Sequence, residues 1–370
     1  VSRRTVAALV IVLALSGANR ASAFDDYTGR HGRVLSVYGQ LSLSGIHVDD
    51  GIGGKSAAVD NTHSVSRVGL VLRRPRAFGE FRFRFETSLG LRQSDQVSQT
   101  WTGPAVSWSR GDIRYLDFIL DRGSAGTYSI GHGSMATDQV MTADLSGTKL
   151  ANNVSVPDMA GGFEFRTAAG ALSGIAVDDV YKTFDGIRRA RIRYDRAFLK
   201  DFMFSVSAGA EILEKNNDEL NLDVSVTYRG TVGDFRMEGA AGASITRQVK
   251  VLTRADIVGS FSALHVPSGL SLTVASAVDD GNSRLAYVKL GYLVDIFAVG
   301  PTALSADAYV GENISVAGSR SKAWGLALVQ HLPRPNVQVY LGVRRYDYDD
   351  ATVAIYRPVK AVMFGTRWQF

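Results

Sequence analysis

Arginines recur in step with an apolar alternation along this sequence. In "EFRFRFETSLGL" (80–91), Arg82 and Arg84 alternate with Phe81, Phe83 and Phe85. Arg67 and Arg73 share a parity opposite Leu70 and Leu72. Arg189, Arg191 and Arg193 oppose Ala190 and Ile192, and Arg344 and Arg367 lie on the polar faces of the last two such stretches. A guanidinium is a permanent cation with a planar fork of donors, so a row of them facing water attracts and orients anions. Acids gather elsewhere: Asp138, Asp144, Asp158, Glu164, Asp178, Asp179 and Asp185 all fall within 134–185. Facing rows of opposite charge orient dipolar solutes and disfavour apolar ones.

Bond-making chemistry has less to work with. His31, His47, His63, His132, His265 and His331 are available as bases, but none stands in a nucleophile motif, and G-x-S-x-G does not occur. There is no H-E-x-x-H and no Cys/His cluster for zinc. "DDGIGG" (49–54) lacks the spaced acids of a calcium loop. Acidic outer loops such as "DYDD" (347–350) are the remaining cation candidates, for divalent ions or ions that bridge lipopolysaccharide; no other cofactor is expected.

The elements that must position these charges are strands. Residues 1–23 read as a cleaved secretory signal. Arg3 and Arg4 lead, "VAALVIVLAL" (6–15) is a short apolar run, and "ASA" (21–23) is a cleavage site. Residues 24–370 then form one domain. Loss of Arg3, Arg4 and Arg20 lowers the formal charge from +5 to near +2, which removes the case for nucleic acid. No cysteine is present, so disulfides cannot hold an exported fold together. Period-2 alternation recurs from "VLSVYGQLSLSG" (34–45) to "KAVMFGTRWQF" (360–370). Sixteen strands follow: 34–45, 64–73, 80–91, 112–121, 127–133, 186–196, 202–213, 219–229, 234–246, 252–264, 269–278, 284–293, 301–312, 322–332, 336–347 and 359–370.

Short connections alternate with longer ones rich in Asp, Asn and Gly, and 134–185 breaks the rhythm. A soluble sandwich also alternates, but it must protect its edges. A closed ring has none, and sixteen strands make it too wide for side chains to fill, so its interior holds water. Tyr228, Tyr292, Tyr340, Trp324 and Trp368 lie near strand ends, as an interfacial aromatic girdle requires. An arginine facing hydrocarbon at mid-bilayer costs roughly 2–4 kcal/mol, so the arginines in phase must face water or protein.

Four features together resemble the Gram-negative general diffusion porins: the signal ending "ASA", the first strand "VYGQLSLSG", the long loop after strand five, and the terminal "GTRWQF". The resemblance implies an all-β, 16-stranded antiparallel transmembrane β-barrel, with 134–185 folded into the lumen. It implies a homotrimer in the outer membrane, among lipid and lipopolysaccharide, passing small hydrophilic solutes and ions. Phe364, Trp368 and Phe370 would be the signal read by the barrel-assembly machinery. Asp138, Asp144, Asp158 and Glu164 on the loop would face a basic wall of Arg67, Arg73, Arg82, Arg84 and Arg367 across a constriction. The rival readings are a substrate-specific outer-membrane channel for anions or sugars, a plugged structural or adhesive barrel, and an outer-membrane barrel enzyme. Small residues on lipid-facing rows, Ala208, Ala210, Gly239, Ala241 and Ala243, would allow close subunit contact.

Overall fold

The computed structural model describes residues 26–214, 219–247, 253–351 and 355–370. The expected signal (1–23) lies outside the described residues. Sixteen antiparallel strands close on themselves: β1 Val34–Asp49, β2 Arg67–Arg76, β3 Gly79–Ser88, β4 Ile113–Asp121, β5 Thr127–Ser134, β6 Arg188–Leu199, β7 Phe202–Ala210, β8 Leu220–Val232, β9 Phe235–Arg247, β10 Arg254–His265, β11 Leu270–Asp279, β12 Arg284–Phe297, β13 Gly300–Glu312, β14 Arg320–Leu332, β15 Val337–Asp349 and β16 Val359–Gln369. Neighbours in sequence pair, and the seam joins β16 to β1 from Gln40 against Gln369 to Asp49 against Lys360. Closure leaves no backbone edge to meet lipid.

The alternation in the sequence becomes two surfaces. Along β11, Leu270, Leu272, Val274 and Val278 are exposed, while Ser271, Thr273, Ala275 and Ala277 are buried. The outward rows are the apolar ones, with Ile257 and Leu290 at 64% and 63% exposure, as expected of a wall whose solvent is hydrocarbon. No helix among the described residues is long and apolar enough to cross a membrane. Tyr228, Tyr292, Trp324 and Trp368 stand on outward rows. Tyr340 does not: it is fully buried on the inward row of β15, because it pairs with Gly365, which in turn faces inward Ser44.

Two departures from the expected strands matter for the interior. Residues Gly54–Asp60 form a strand that pairs with the far half of β1, while β2 pairs with the near half. Between them, 61–66 turns inward, and Gln40 Nε2 donates to the Ser64 and Val65 carbonyls at 2.9 and 2.8 Å. "DDGIGG" forms the tight turn that precedes Gly54–Asp60. Asp50 accepts from the Ile52 and Gly53 amides, and Arg166 completes its carboxylate at 2.7 Å.

At one end the strands meet in short turns. Gly79 at the β2–β3 turn has φ +144° and approaches the Asp121 carbonyl so closely that a Cβ would lie 2.2 Å from it. At the other end the connections are longer, the longest being the loop between β5 and β6.

Candidate functional site

The loop from 135 to 187 packs against the inward rows. Its first turn is pinned on β7 and β8: the Ala136 amide donates to Ser207, and the Ala136 carbonyl accepts from Ser225. Thr137 donates its hydroxyl to Asp223. Further along, the Ala143 and Leu145 amides donate to Ser260 and Ser262 on β10. Ser321 on β14 donates to the Val180 carbonyl, and Tyr346 on β15 to the Val156 carbonyl. One segment thus bonds to inward residues of β7, β8, β10, β14 and β15.

The loop also brings apolar mass. Leu150, Val154, Val156, Met159, Phe163, Phe165, Val177, Val180 and Tyr181 form one buried cluster with inward residues of β10–β16 and β1, among them Tyr287, Tyr309, Val329, Met363 and Ile46. That side of the interior is therefore a hydrophobic core rather than water. Glycines let the loop approach the wall: a Cβ on Gly342 would lie 2.8 Å from Met159 and 2.9 Å from the Ala151 carbonyl. Lys289 on β12 is the central tie. Its fully buried ammonium meets Asp144 at 2.7 Å and the Asn152 carbonyl at 2.6 Å. Burial pushes the Asp144 carboxyl up, but the Lys289 charge and the Ser146 hydroxyl and amide outweigh it and hold it below the usual carboxylate range.

The opposite wall, on β1–β6, carries the arginines. Arg84 is bound to Asp117 at 2.7 Å and lies 3.6 Å above the Tyr115 ring, with Arg188 5.4 Å from the same ring. Arg191 shares Asp117 at 2.7 Å. Arg114 and Arg67 share Glu86 at 2.5 and 3.7 Å, and Tyr38 donates to it. Arg188 faces Asp138 at 3.9 Å. Arg367 donates to Gln338 and to Ser64 Oγ, with no acid of its own among the described residues. So five guanidiniums share Glu86, Asp117 and Asp138 in this part of the wall, and Arg367 is the sixth.

The expected site residues are thus divided. Arg67 and Arg367 come together across β1, level with Gln40 and Ser42, and Arg84 lies in the same wall. Arg73 and Arg82 pair across β2–β3 near the short turns, where Asp26, Glu80 and Asp121 partner them. Among the acids, Asp138 meets the arginine wall, Asp158 meets His63 at 3.0 Å, and Asp144 serves Lys289. Glu164 accepts from the Gly174 amide within the loop. Asp158 does not stand alone: Asp95, from the 89–112 connection, and Asp178 lie against Gly161, where a Cβ would touch both at 3.2 and 3.3 Å. Val362 and Phe364 are exposed on the outward row of β16, the Trp368 ring meets Phe370 in a tilted contact at 5.0 Å, and the Phe370 ring covers Gly39.

Sequence reasoning missed Lys289, Arg114, Arg188 and Asp95. Lys289 had a legible signal, a lone cation on the inward parity of an otherwise small and aromatic strand. Arg114 had none, because a bulge between Glu86 and Thr87 reverses its parity.

A family model described as Gram-negative porin matches residues 5–351. No curated protein sequence matches significantly. Among solved structures, the anion-selective porin from Comamonas acidovorans is similar at 17% identity, with TM-score 0.61 over 91% of this chain and 100% of that one. Vibrio cholerae OmpT in its trimer form aligns at 13% identity and TM-score 0.55, over 91% of this chain and 99% of that one. Salmonella typhi OmpF in complex with daunomycin aligns at 13% identity and TM-score 0.53, over 93% of this chain and 100% of that one.

Proposed function

The chain belongs to the Gram-negative porin family, and from that premise we propose that it is a passive, water-filled outer-membrane channel with a preference for small anions. Membership of that family supports a channel rather than an enzyme. The passage runs between the docked loop and the arginine wall, and the loop narrows it. The observation that carries the anion preference is the charge count of the wall: six guanidiniums against three carboxylates. Held in a passage with low-dielectric walls, that excess concentrates anions and repels cations. The similarity to an anion-selective porin supports the same sign. We read the assembly as a homotrimer, as in the trimer form of Vibrio cholerae OmpT, with close contact through the small outward residues Ala208, Ala241 and Ala243.

Single-channel recording of the refolded protein in a planar bilayer, with the reversal potential in a salt gradient, tests this. Conductance should rise linearly with salt, in steps that arrive in threes, with anions favoured. Arg67→Gln with Arg367→Gln should move the reversal potential toward cations. A folded, heat-modifiable protein that shows no open steps would sink the channel reading. Cation preference in the wild type would sink the anion reading alone.

A further inference from the structure

We propose that Arg33, Arg74 and Arg76 form a headgroup site for an anionic phospholipid on the outward wall, in the leaflet that meets the short turns; this rests on the membrane-spanning reading above. Each of the three lies on the outward parity. Arg33, extended just before β1, precedes Leu35 and Val37 on their row, and Arg74 and Arg76 continue the row of Leu70 and Leu72. Register sets them side by side: Val34 pairs with Arg73, which puts Arg74 level with Arg33, and Arg76 pairs with Gly79 at the turn. Arg33 and Arg76 are exposed and Arg74 half-buried.

Their inward neighbours are neutralised: Arg73 has Asp26, and Arg82 has Glu80 and Asp121. The outward three have no carboxylate within salt-bridge distance among the described residues. Three unpaired like charges on adjacent strands repel one another, so the arrangement calls for a shared counter-charge. Directly beside them the wall is apolar, with Leu72 and Phe81 at 40% and 39% exposure. Acyl chains would lie on these rows while the guanidiniums reach the phosphate at the border, the geometry in which long cationic side chains snorkel.

A second copy of the chain offers few carboxylates on its strands at this level. Copies inserted in the same direction meet with their short-turn ends level. Outward acids on the described strands stand at the long-loop end: Asp49, Glu312, Asp347 and Asp349. Near the short turns, Asp201 and Asp234 sit in the turns themselves, and Asp295 is exposed within the irregularity between Val294 and Phe297. The apolar rows beside the three arginines favour a phosphate-bearing lipid as the partner.

Native mass spectrometry of the refolded full barrel, titrated with equimolar phosphatidylglycerol and phosphatidylethanolamine, reads the preference directly. At about fivefold per arginine near an anionic headgroup, three arginines give roughly a hundredfold preference for phosphatidylglycerol. Arg33→Gln/Arg74→Gln/Arg76→Gln should abolish it, whereas Arg196→Gln, an outward arginine near the short turns on β6, should leave it intact. Equal retention of both lipids by the wild type overturns the site, as does a preference that survives in the triple variant. Displacement by millimolar inorganic phosphate would mark a general anion contact and overturn the lipid assignment. If the triple variant does not refold, Arg74→Gln alone carries the test, with a loss of about fivefold. Conductance in a neutral bilayer should be the same in wild type and variant. A wild type that prefers phosphatidylglycerol but does not conduct would fault the channel reading and leave the lipid site standing.

Discussion

At the scale of single residues, Asp95 is one place where the interior can change its charge. Burial comes first and the nearby Asp158 carboxylate second in pushing its carboxyl up to about 7, with Asp178 adding to them and the Thr62 hydroxyl pulling back. The folded value lies above that of a free aspartate. The native state therefore holds a proton between about pH 4 and 7 that the unfolded chain has released. This contribution to stability is present at low pH and is lost as pH rises through 7. The same step changes selectivity. Lowering the pH from 8 to 5 neutralises Asp95 opposite the arginine wall, so the reversal potential in a salt gradient should move further toward anions. Asp95→Asn should remove the Asp95 share of that movement and leave the share of Asp185, whose carboxyl burial and the Asp138 charge also push up to about 7, while His63 and Asp158 remain in place. A wild type with the same selectivity at pH 5 and pH 8 would remove Asp95 from this role. Much at this scale was legible. The parity of Arg67, Arg84 and Arg367 alone puts them inside, and the neighbourhood of strands one, two and sixteen brings two of them together. What was not legible depends on register. Arg114 points inward only because of a bulge, and Arg188 turns to Tyr115 and Asp138 from the first position of its strand.

At the scale of elements, the long loop is held by a buried ion pair as well as by its apolar cluster. Removing one partner of such a pair leaves the other charge uncompensated and costs about 3–5 kcal/mol, whereas replacing both with apolar groups is nearly neutral. Lys289→Met should therefore loosen the loop. The expected signs are proteolytic nicking within 135–187 and frequent conductance fluctuations. Lys289→Met with Asp144→Leu should restore both to wild-type behaviour, apart from the unpaired Asn152 carbonyl. If the single variant is as quiet and as protease-resistant as the wild type, the apolar cluster alone secures the loop. The strands were readable because each has two solvents and hence a period. The loop was not, because its apolar residues are spaced to suit the inward faces of distant strands rather than any period of their own. Its partners Tyr287, Tyr309 and Tyr346 belong to strands more than a hundred residues later. The inward turn at 61–66 escaped for a related reason. It interrupts a strand whose two halves both pair with β1, so its own alternation shows nothing unusual.

At the scale of the whole molecule, everything depends on a ring whose last strand must find its first. The seam ends where Gly39 and Phe370 exchange backbone hydrogen bonds, at 2.9 Å from the Gly39 amide and 3.1 Å from the Phe370 amide. The fit there is close. A Cβ on Gly39 would lie 2.6 Å from the Phe370 ring and 2.8 Å from the Arg67 carbonyl. The ring could swing aside, but the carbonyl belongs to the β1–β2 ladder and cannot move without disturbing it. Gly39→Val therefore forces a shift at the junction of β16, β1 and β2, with an overpacking cost of about 1–3 kcal/mol. Gly45 is the control. It stands on the same outward row of the same strand, also against β16, with nothing within 4 Å of its virtual Cβ. Gly45→Val should leave the barrel unchanged or slightly firmer, since a β-branched side chain suits an exposed strand position. Urea unfolding of the refolded proteins in lipid, followed by the loss of heat-modifiable migration, separates the two. A lower midpoint for Gly39→Val alone places the closure strain at this junction. Equal midpoints for both variants would show that the seam yields at its end without loss, and that closure is secured further along, between Ser42 and Asp49.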